Sequence, residues 1–271
     1  MLSAGMSSTA IGLLERVRVQ APVIHHLTNW VTIYDCAQIV KTLGAAPVMA
    51  HAPEEVAEMT DIASALVLNI GTLTVEFVES MKIAARSANA KGIPVVLDLC
   101  GAGATSLRDQ KSFELLEAAK INIIKGNASE VARISGAAVR TRGVDAAEVS
   151  GDLARLASEL ARARQATVVI TGKHDIVADG RRTWVIKNGR VLMTRVVGTG
   201  CMAASVIGAF AAVERDLLVA AASALVCYEV AAELAAELAT GPASFKQQLF
   251  DCLYNLDGAT IDRLERIDRL G

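Results

Sequence analysis

Val196-Val197-Gly198-Thr199-Gly200-Cys201-Met202-Ala203-Ala204-Ser205 combines the residue types of an anion site. An apolar run, Val191 to Val197, stops at two glycines, and an Ala-rich helical pattern begins at once. Glycine lacks Cβ, so a backbone at Gly198 and Gly200 can turn tightly and lie against a ligand. The first amides of a helix have no partners within the helix and sit at the positive end of its dipole. Such a start can hold a phosphate or a developing oxyanion. The chemistry this suits is phosphoryl transfer, with Gly198 and Gly200 cradling charge and Cys201 beside the reacting hydroxyl. Two plainer readings stay open: an ordinary tight turn, or the dinucleotide pattern G-x-G-x-x-A. The second requires a βαβ unit with an acid about 20 residues on. Here the segment that follows is helical, with Glu214 and Asp216 between two helices.

Other candidates lie upstream, each after an apolar run. Asp98 precedes the glycine-rich turn Gly101-Ala102-Gly103. Asn127 and Glu130, three apart, share one face of a helix's first turn. They could hold a Mg²⁺ ion through its waters, since Mg²⁺ favours oxygen ligands and keeps several waters, or simply form a capping box. Lys125 could meet a polyphosphate or stand solvated at a strand end, and Thr171-Gly172 could meet a nucleotide phosphate or base. Asn29 could face a ligand or serve as a cap or turn residue. Two glycine turns, a helix start and a possible Mg²⁺ shell suggest ATP. The P-loop pattern G-x-x-x-x-G-K-[ST] is absent, which disfavours a Walker-type ATPase.

These groups need a sheet to align them, and the chain supplies one. Strands are expected at 22–29, 46–50, 65–72, 93–98, 121–127 and 166–172, several with the unbroken apolar character of strands covered on both faces. Helices are expected between them at 34–43, from 53, at 75–91, 113–120, from 127 and 152–164, with an opening helix at 11–19 and a polar loop at 140–148. Gly44 and Gly92 follow helical runs as C-terminal stops. Polar residues gather after each strand, where open parallel sheets bind ligands. Short strands at 174–178, 183–187 and 191–194, joined by Asp179-Gly180 and Asn188-Gly189, predict an antiparallel edge. Helix is expected from there on, with 245–269 a last stretch broken at Gly258. The fold class expected is α/β, a three-layer α/β/α domain over residues 1–271.

Composition narrows the function further. Of the 271 residues, 52% are hydrophobic and the net charge is −2, and the mean hydropathy is +0.39. Basic residues are unclustered, which argues against nucleic acid. No positively charged start precedes an apolar core, so no signal peptide is expected. The uncharged stretch 196–213 contains a polar turn, which leaves too short a helix for a membrane span. In 217–238, Glu229, Glu233 and Glu237 recur every four residues and give one polar stripe on an apolar helix. Five scattered cysteines lack CxxC spacing, which disfavours zinc or a disulfide framework and fits the cytoplasm.

Taken in order, the motifs carry a resemblance. Leu27-Thr28-Asn29, Pro47-Val48-Met49-Ala50, Asn69-Ile70-Gly71-Thr72, Leu97-Asp98 with Gly101 to Thr105, Lys125-Gly126-Asn127-Ala128-Ser129-Glu130, Gly143-Val144-Asp145 and Gly198-Thr199-Gly200-Cys201 span residues 22 to 256, closing on Leu253-Tyr254-Asn255-Leu256. The set resembles the hydroxyethylthiazole kinases, a ribokinase-like family. The resemblance implies transfer of the ATP γ-phosphoryl group to the alcohol of 4-methyl-5-(2-hydroxyethyl)thiazole with Mg²⁺, in thiamine biosynthesis. It also implies a homotrimer with active sites between subunits. By residue-wise match, Met49 and Gly198 bind the thiazole, with Asn29 near it. Lys125, Thr171 and Asn127 meet ATP. Glu130 and Asp98 belong to the Mg²⁺ site through water. Cys201 stands where other ribokinase-like kinases place an Asp that serves as general base.

The chain departs from that pattern in places. Asp98-Leu99-Cys100 replaces the usual Asp-Pro-Val, which removes a proline that fixes the turn. Tyr34 and Gln38 replace two asparagines that are frequent in the family, and would change the shape of the neighbouring subunit's pocket if their side chains reach it. Lys125 stands where Arg is common and keeps the charge without the bidentate fork. Cys36 and Cys100 are expected in the core. Rival readings are a pyridoxal or hydroxymethylpyrimidine kinase, a dinucleotide-dependent oxidoreductase, and a nucleotide-binding sensor without turnover.

Overall fold

A computed structural model of the chain describes residues 6–136 and 146–270. The Gly143-Val144-Asp145 motif lies outside them. Among the described residues nine strands form one sheet: β1 Val23–Leu27, β2 Ala46–Val48, β3 Ala65–Asn69, β4 Val95–Asp98, β5 Ile123–Asn127, β6 Thr167–Thr171, β7 Asp175–Ala178, β8 Thr183–Ile186 and β9 Ile267–Leu270. The helices are α1 Met6–Gln20, α2 Ile33–Thr42, α3 Val56–Ile62, α4 Val75–Lys91, α5 Ser106–Ala118, α6 Ala128–Ser135, α7 Ala146–Arg164, α8 Thr199–Ala211, α9 Leu217–Leu238, α10 Pro242–Tyr254 and α11 Gly258–Leu264. Strand order is β2-β1-β3-β4-β5-β6-β7-β8-β9. Pairings from β2 through β6 are parallel, and β7, β8 and β9 add antiparallel.

The apolar strands explain the layering. Side chains alternate across a sheet, so one set of residues serves each face. Val67, Val96, Ile123 and Val169 pack with α1, α2, α8, α9 and α10. Leu66, Leu68, Leu97, Ile124 and Val168 pack with α4, α5, α6 and α7. Both faces are therefore covered, which is why these strands read as continuous apolar runs. At about 25 cal/mol per Å² of apolar surface removed from water, burial on both faces is the main force holding the sheet. Helix ends follow local chemistry. Thr74, Thr105, Asp216 and Asp257 accept from amides of the first turns of α4, α5, α9 and α11, and α4 closes on Gly92 in the left-handed region.

Several expectations need correction. Val191–Arg195 is a 3₁₀ turn, not a strand. The free edge of β8 is taken by β9, so residues 191–195 bond locally instead, Met193 N to Arg190 O at 3.0 Å and Val196 N to Met193 O at 3.2 Å. Asn188-Gly189 is accordingly no hairpin turn: Asn188 accepts from Arg266 N and donates to Leu264 O, tying β8 to the C-terminal segment. Asp179-Gly180 does join β7 to β8. The C-terminal stretch is not helical to Arg269, because Ile267-Asp268-Arg269-Leu270 pairs with β8, and the Arg269 guanidinium lies 5.0 Å from the Trp184 ring centroid. α3 starts at Val56, past the Pro53 turn, α5 starts at Ser106, and residues 146–151, expected as loop and interhelical chain, belong to α7.

The α9 stripe faces inward. Glu229 and Glu233 are buried; Glu233 accepts from Gly189 N and pairs with Arg266, while Glu237 stays exposed. α9 is long and apolar enough to cross a membrane, yet 83% of its apolar window is buried within the protein, as in a core helix.

Candidate active site

The site rests on strand register. Asn69 lies opposite Asp98, Asp98 opposite Lys125, and Asn127 opposite Thr171. These residues continue the alternation of Val67, Val96, Ile123 and Val169, so their side chains leave the sheet on the face that α8 covers. The start of α8 sits over this row. Gly198 has φ of +93°, and a Cβ there would lie 2.5 Å from Thr32 Cγ2. A Cβ at Gly200 would lie 3.2 Å from Lys125 Nζ. No side chain caps the helix, which leaves its first amides available to an anion. The two glycines thus do different work: one permits the turn, the other admits the ammonium.

Cys201 is the centre of a hydrogen-bonded group. Asn29 Nδ2 donates to Cys201 Sγ at 3.2 Å and to Asn69 Oδ1 at 3.0 Å. Asn69 Nδ2 reaches Cys201 Sγ at 3.3 Å and Asp98 Oδ2 at 3.0 Å. Lys125 Nζ donates to the same Asp98 oxygen at 3.1 Å. The Cys201 thiol is pulled down to about 5, first through its interaction with the Cys100 thiol, then against burial by Thr32, Lys125 and Asn29. Burial pushes Asp98 up to about 7 against the pull of Lys125. Burial works against the Lys125 charge too, but Asp98 more than restores it and its pKa is raised. Cys100 is no core residue: it is half-buried, and Cys201 together with burial raises its pKa. Cys36 is core, and burial drives it to about 11.

Asn127 and Glu130 form the capping box of α6. Asn127 Oδ1 accepts from Glu130 N at 3.0 Å, and Glu130 Oε2 accepts from Asn127 N at 2.7 Å. The other Glu130 oxygen accepts from Gly101 N at 2.8 Å. This bond, with Arg108 on the carbonyls of Ile70, Gly71 and Cys100, pins the turn that lacks the family's proline. Beside it, a cleft of about 610 Å³ opens between β6 and α8, lined by Thr171, Gly172, Thr199, Gly200, Tyr228 and Glu229 among others. On its wall lie the buried carboxyls of Asp175 and Glu229, and burial raises both.

The structure thus gathers Asn29, Asp98, Lys125, Gly198, Gly200 and Cys201, and puts Thr171 on the cleft that Gly200 also lines. Asn127 and Glu130 join the group through Gly101. Met49 stands apart: half-buried after β2, its carbonyl lies 3.4 Å from His51 Nδ1, and His51 meets the exposed Trp30 edge to face. Asn69, Thr32, Arg108 and Tyr228 were not singled out as site residues. The first ends β3, and a polar residue closing an apolar run is its signal. Thr32 touches Gly198, and Tyr228 donates to Thr199 O at 3.0 Å, contacts that no spacing announces.

The fold is ribokinase-like. A ribokinase-like superfamily protein from Enterococcus faecalis superposes with a TM-score of 0.61 at 14% identity, over 93% of this chain and 90% of that one. The sequence is more specific than the fold. The sequence model of the Hydroxyethylthiazole kinase family matches residues 14–259. Hydroxyethylthiazole kinases from Methanosarcina mazei and Desulfatibacillum aliphaticivorans are 50% and 47% identical, over 95% and 94% of this chain and 98% and 95% of their own lengths. The structure of the hydroxyethylthiazole kinase protein from Pyrococcus horikoshii superposes with a TM-score of 0.91 at 40% identity, over 97% of this chain and all of that one. The chain belongs to the hydroxyethylthiazole kinase family: it is a kinase of an alcohol acceptor that uses ATP.

Proposed function

We propose that the chain transfers the γ-phosphoryl group of ATP to the hydroxyl of 4-methyl-5-(2-hydroxyethyl)thiazole at the start of α8. One observation carries this reading: Cys201 Sγ, held by Asn29 and Asn69, stands where an uncapped helix start meets the Lys125–Asp98 pair. The triphosphate lies along the cleft from Thr171 to Gly200, with Lys125 beneath the terminal phosphates. The amides from Gly198 to Cys201 stabilise charge that develops on the transferring group. Phosphoryl transfer passes through a loose transition state, so positioning and charge do most of the work. A thiolate of pKa about 5 is a weak base, so Cys201 orients the alcohol and takes its proton late.

Mg²⁺, when bound, supplies positive charge to the phosphates. Among the described residues no cluster of three or more His, Cys, Asp or Glu could hold a metal directly. A hydrated ion suits the groups present, because Asp98 Oδ1 is buried without a partner and Glu130 presents carboxylate oxygens at the neighbouring turn. The thiazole pocket is completed by a second subunit of a homotrimer, which makes use of Trp30, Val31 and Tyr34, exposed beside the Met49 segment. A single domain over the whole chain suffices for this chemistry, and five free cysteines fit a cytoplasmic setting.

The test is turnover of purified protein with ATP and Mg²⁺, with thiazole phosphate read by mass spectrometry and hydroxymethylpyrimidine and pyridoxal in parallel. Thiazole phosphate alone is expected. Product from another alcohol instead overturns the substrate, and ATP binding without product favours the sensor. Sedimentation of a monomer would remove the shared pocket.

A further inference from the structure

Two adjacent histidines, His25 and His26, stand near the end of β1, and the transfer just described uses neither. Neighbours on a strand point to opposite faces of the sheet. His26 goes to the face of α8, with Nε2 3.1 Å from Ser205 Oγ. His25 goes to the face of α3, with Nδ1 3.0 Å from Thr60 Oγ1. The other nitrogen of His25, Nε2, lies 2.7 Å from Ala50 O. A carbonyl oxygen only accepts, so Nε2 carries the proton and donates it. The Thr60 hydroxyl, itself 2.8 Å from Val56 O, anchors the far side of the ring on α3. His25 and Thr60 are both fully buried, and burial lowers the His25 pKa from its ordinary value.

The segment that the ring holds leads away from the sheet. β2 is the edge strand, and its register with β1 ends where Val48 stands opposite His25. The chain then leaves as Met49-Ala50-His51, half-buried at the first two residues and exposed at the third. His25 extends the pairing with its side chain and fixes the backbone one residue past Met49. The other ties of the segment are the longer approach of His51 Nδ1 to Met49 O, at 3.4 Å, and the edge of His51 against the exposed Trp30.

We propose that His25 is a positioning residue of the acceptor pocket, its imidazole clamping segment 49–51 to β1 and α3 through Ala50 O so that Met49 is presented to the alcohol. His25 touches no reacting atom and acts through the backbone of residue 50. What Met49 meets rests on the kinase reading, whereas the clamp itself does not. Cys201 and Lys125 stand on α8 and β5, away from the clamped segment, so loss of the clamp should weaken binding of the alcohol and spare the transfer step.

The test compares His25→Leu, of similar size without a donor, with His25→Gln, whose amide can still donate to Ala50 O. In steady-state assays of the full-length protein, His25→Leu should raise KM for the thiazole alcohol about tenfold, as for one buried hydrogen bond, with kcat and KM for ATP held within about twofold. His25→Gln should bring KM for the alcohol back to within about threefold of the unaltered protein. Hydrogen–deuterium exchange read by mass spectrometry should quicken at 49–51 in His25→Leu, stay slow in His25→Gln and be unchanged at α8 in both. An unchanged alcohol KM in His25→Leu, a loss that falls on kcat and on ATP alike, a Gln variant no better than Leu, or exchange at 49–51 that does not quicken would each overturn the proposal. If His25→Leu does not fold, Thr60→Val, which removes only the anchor of the ring on α3, is read in the same way: a raised alcohol KM with faster exchange at 49–51 supports the clamp, and no change in either overturns it. Faster exchange at 49–51 in a protein that never phosphorylates the thiazole would leave the clamp standing and remove the kinase reading.

Discussion

Gly198→Ala should damage both stability and turnover, and Thr32→Ser should restore part of each. Gly198 sits at φ of +93°, where a residue with Cβ costs about 1–2 kcal/mol. Its new Cβ would also lie 2.5 Å from Thr32 Cγ2 and 3.1 Å from Thr32 Cβ. Overpacking of this kind costs about 1–3 kcal/mol, for a total of about 2–5 kcal/mol. The strain has a route to the chemistry. Thr32 N and Oγ1 both donate to Asn29 Oδ1, at 3.1 and 3.0 Å, and Asn29 holds Cys201. A small displacement there can cost about 100-fold in rate. Thr32→Ser removes the clashing methyl and keeps the hydroxyl. Alone it should cost about 0.8 kcal/mol for a buried methyl. In Gly198→Ala it should return about 1–2 kcal/mol, leaving the backbone term and the 3.1 Å contact. Urea midpoints at constant m-value and a coupled assay for ADP read the two effects. If the two substitutions add within about 0.5 kcal/mol, or Gly198→Ala leaves the midpoint and rate unchanged, the reasoning fails.

Lys125→Met should cost about 3–5 kcal/mol by leaving Asp98 buried without its partner. Asp98 is already raised to about 7 and rises further without the ammonium. A raised carboxyl takes up its proton on folding, so stability is lost as pH rises from the unfolded value towards the folded one. The deficit of Lys125→Met, read from urea midpoints, should therefore be larger at pH 8 than at pH 6, and the opposite trend would exclude the buried pair. Alkylation of Cys201 by iodoacetamide, followed on its own peptide, should rise through pH 5 and be flat from pH 6 to 8, because thiolate is already formed. A rate that climbs only towards pH 9 would mean an ordinary thiol. Cys201→Ala should keep measurable turnover, reduced by about 100-fold or less, and complete loss with ATP binding intact would give the sulfur an essential role.

The fold was legible where one physical pattern dominated. Unbroken apolar runs gave β3, β5 and β6 because both faces of the sheet are covered, and Gly92 gave the end of α4 because a left-handed stop favours glycine. Legibility failed where a segment's state depends on a distant partner. Val191–Arg195 is as apolar as a strand, but the edge it would have joined is occupied by β9 from the far end of the chain. The polar stripe of α9 was legible but its burial was not, because a periodicity says which residues share a face and not what that face meets.

The site divides along the same line. Residue types announced Asp98, Lys125, Asn127, Glu130 and the glycines around Cys201, since each stands near the end of a strand or at a helix start. Their joint chemistry comes from register. Asn69, Asp98 and Lys125 meet only because they stand in register across β3, β4 and β5, and a slip of one residue would send one of them to the other face.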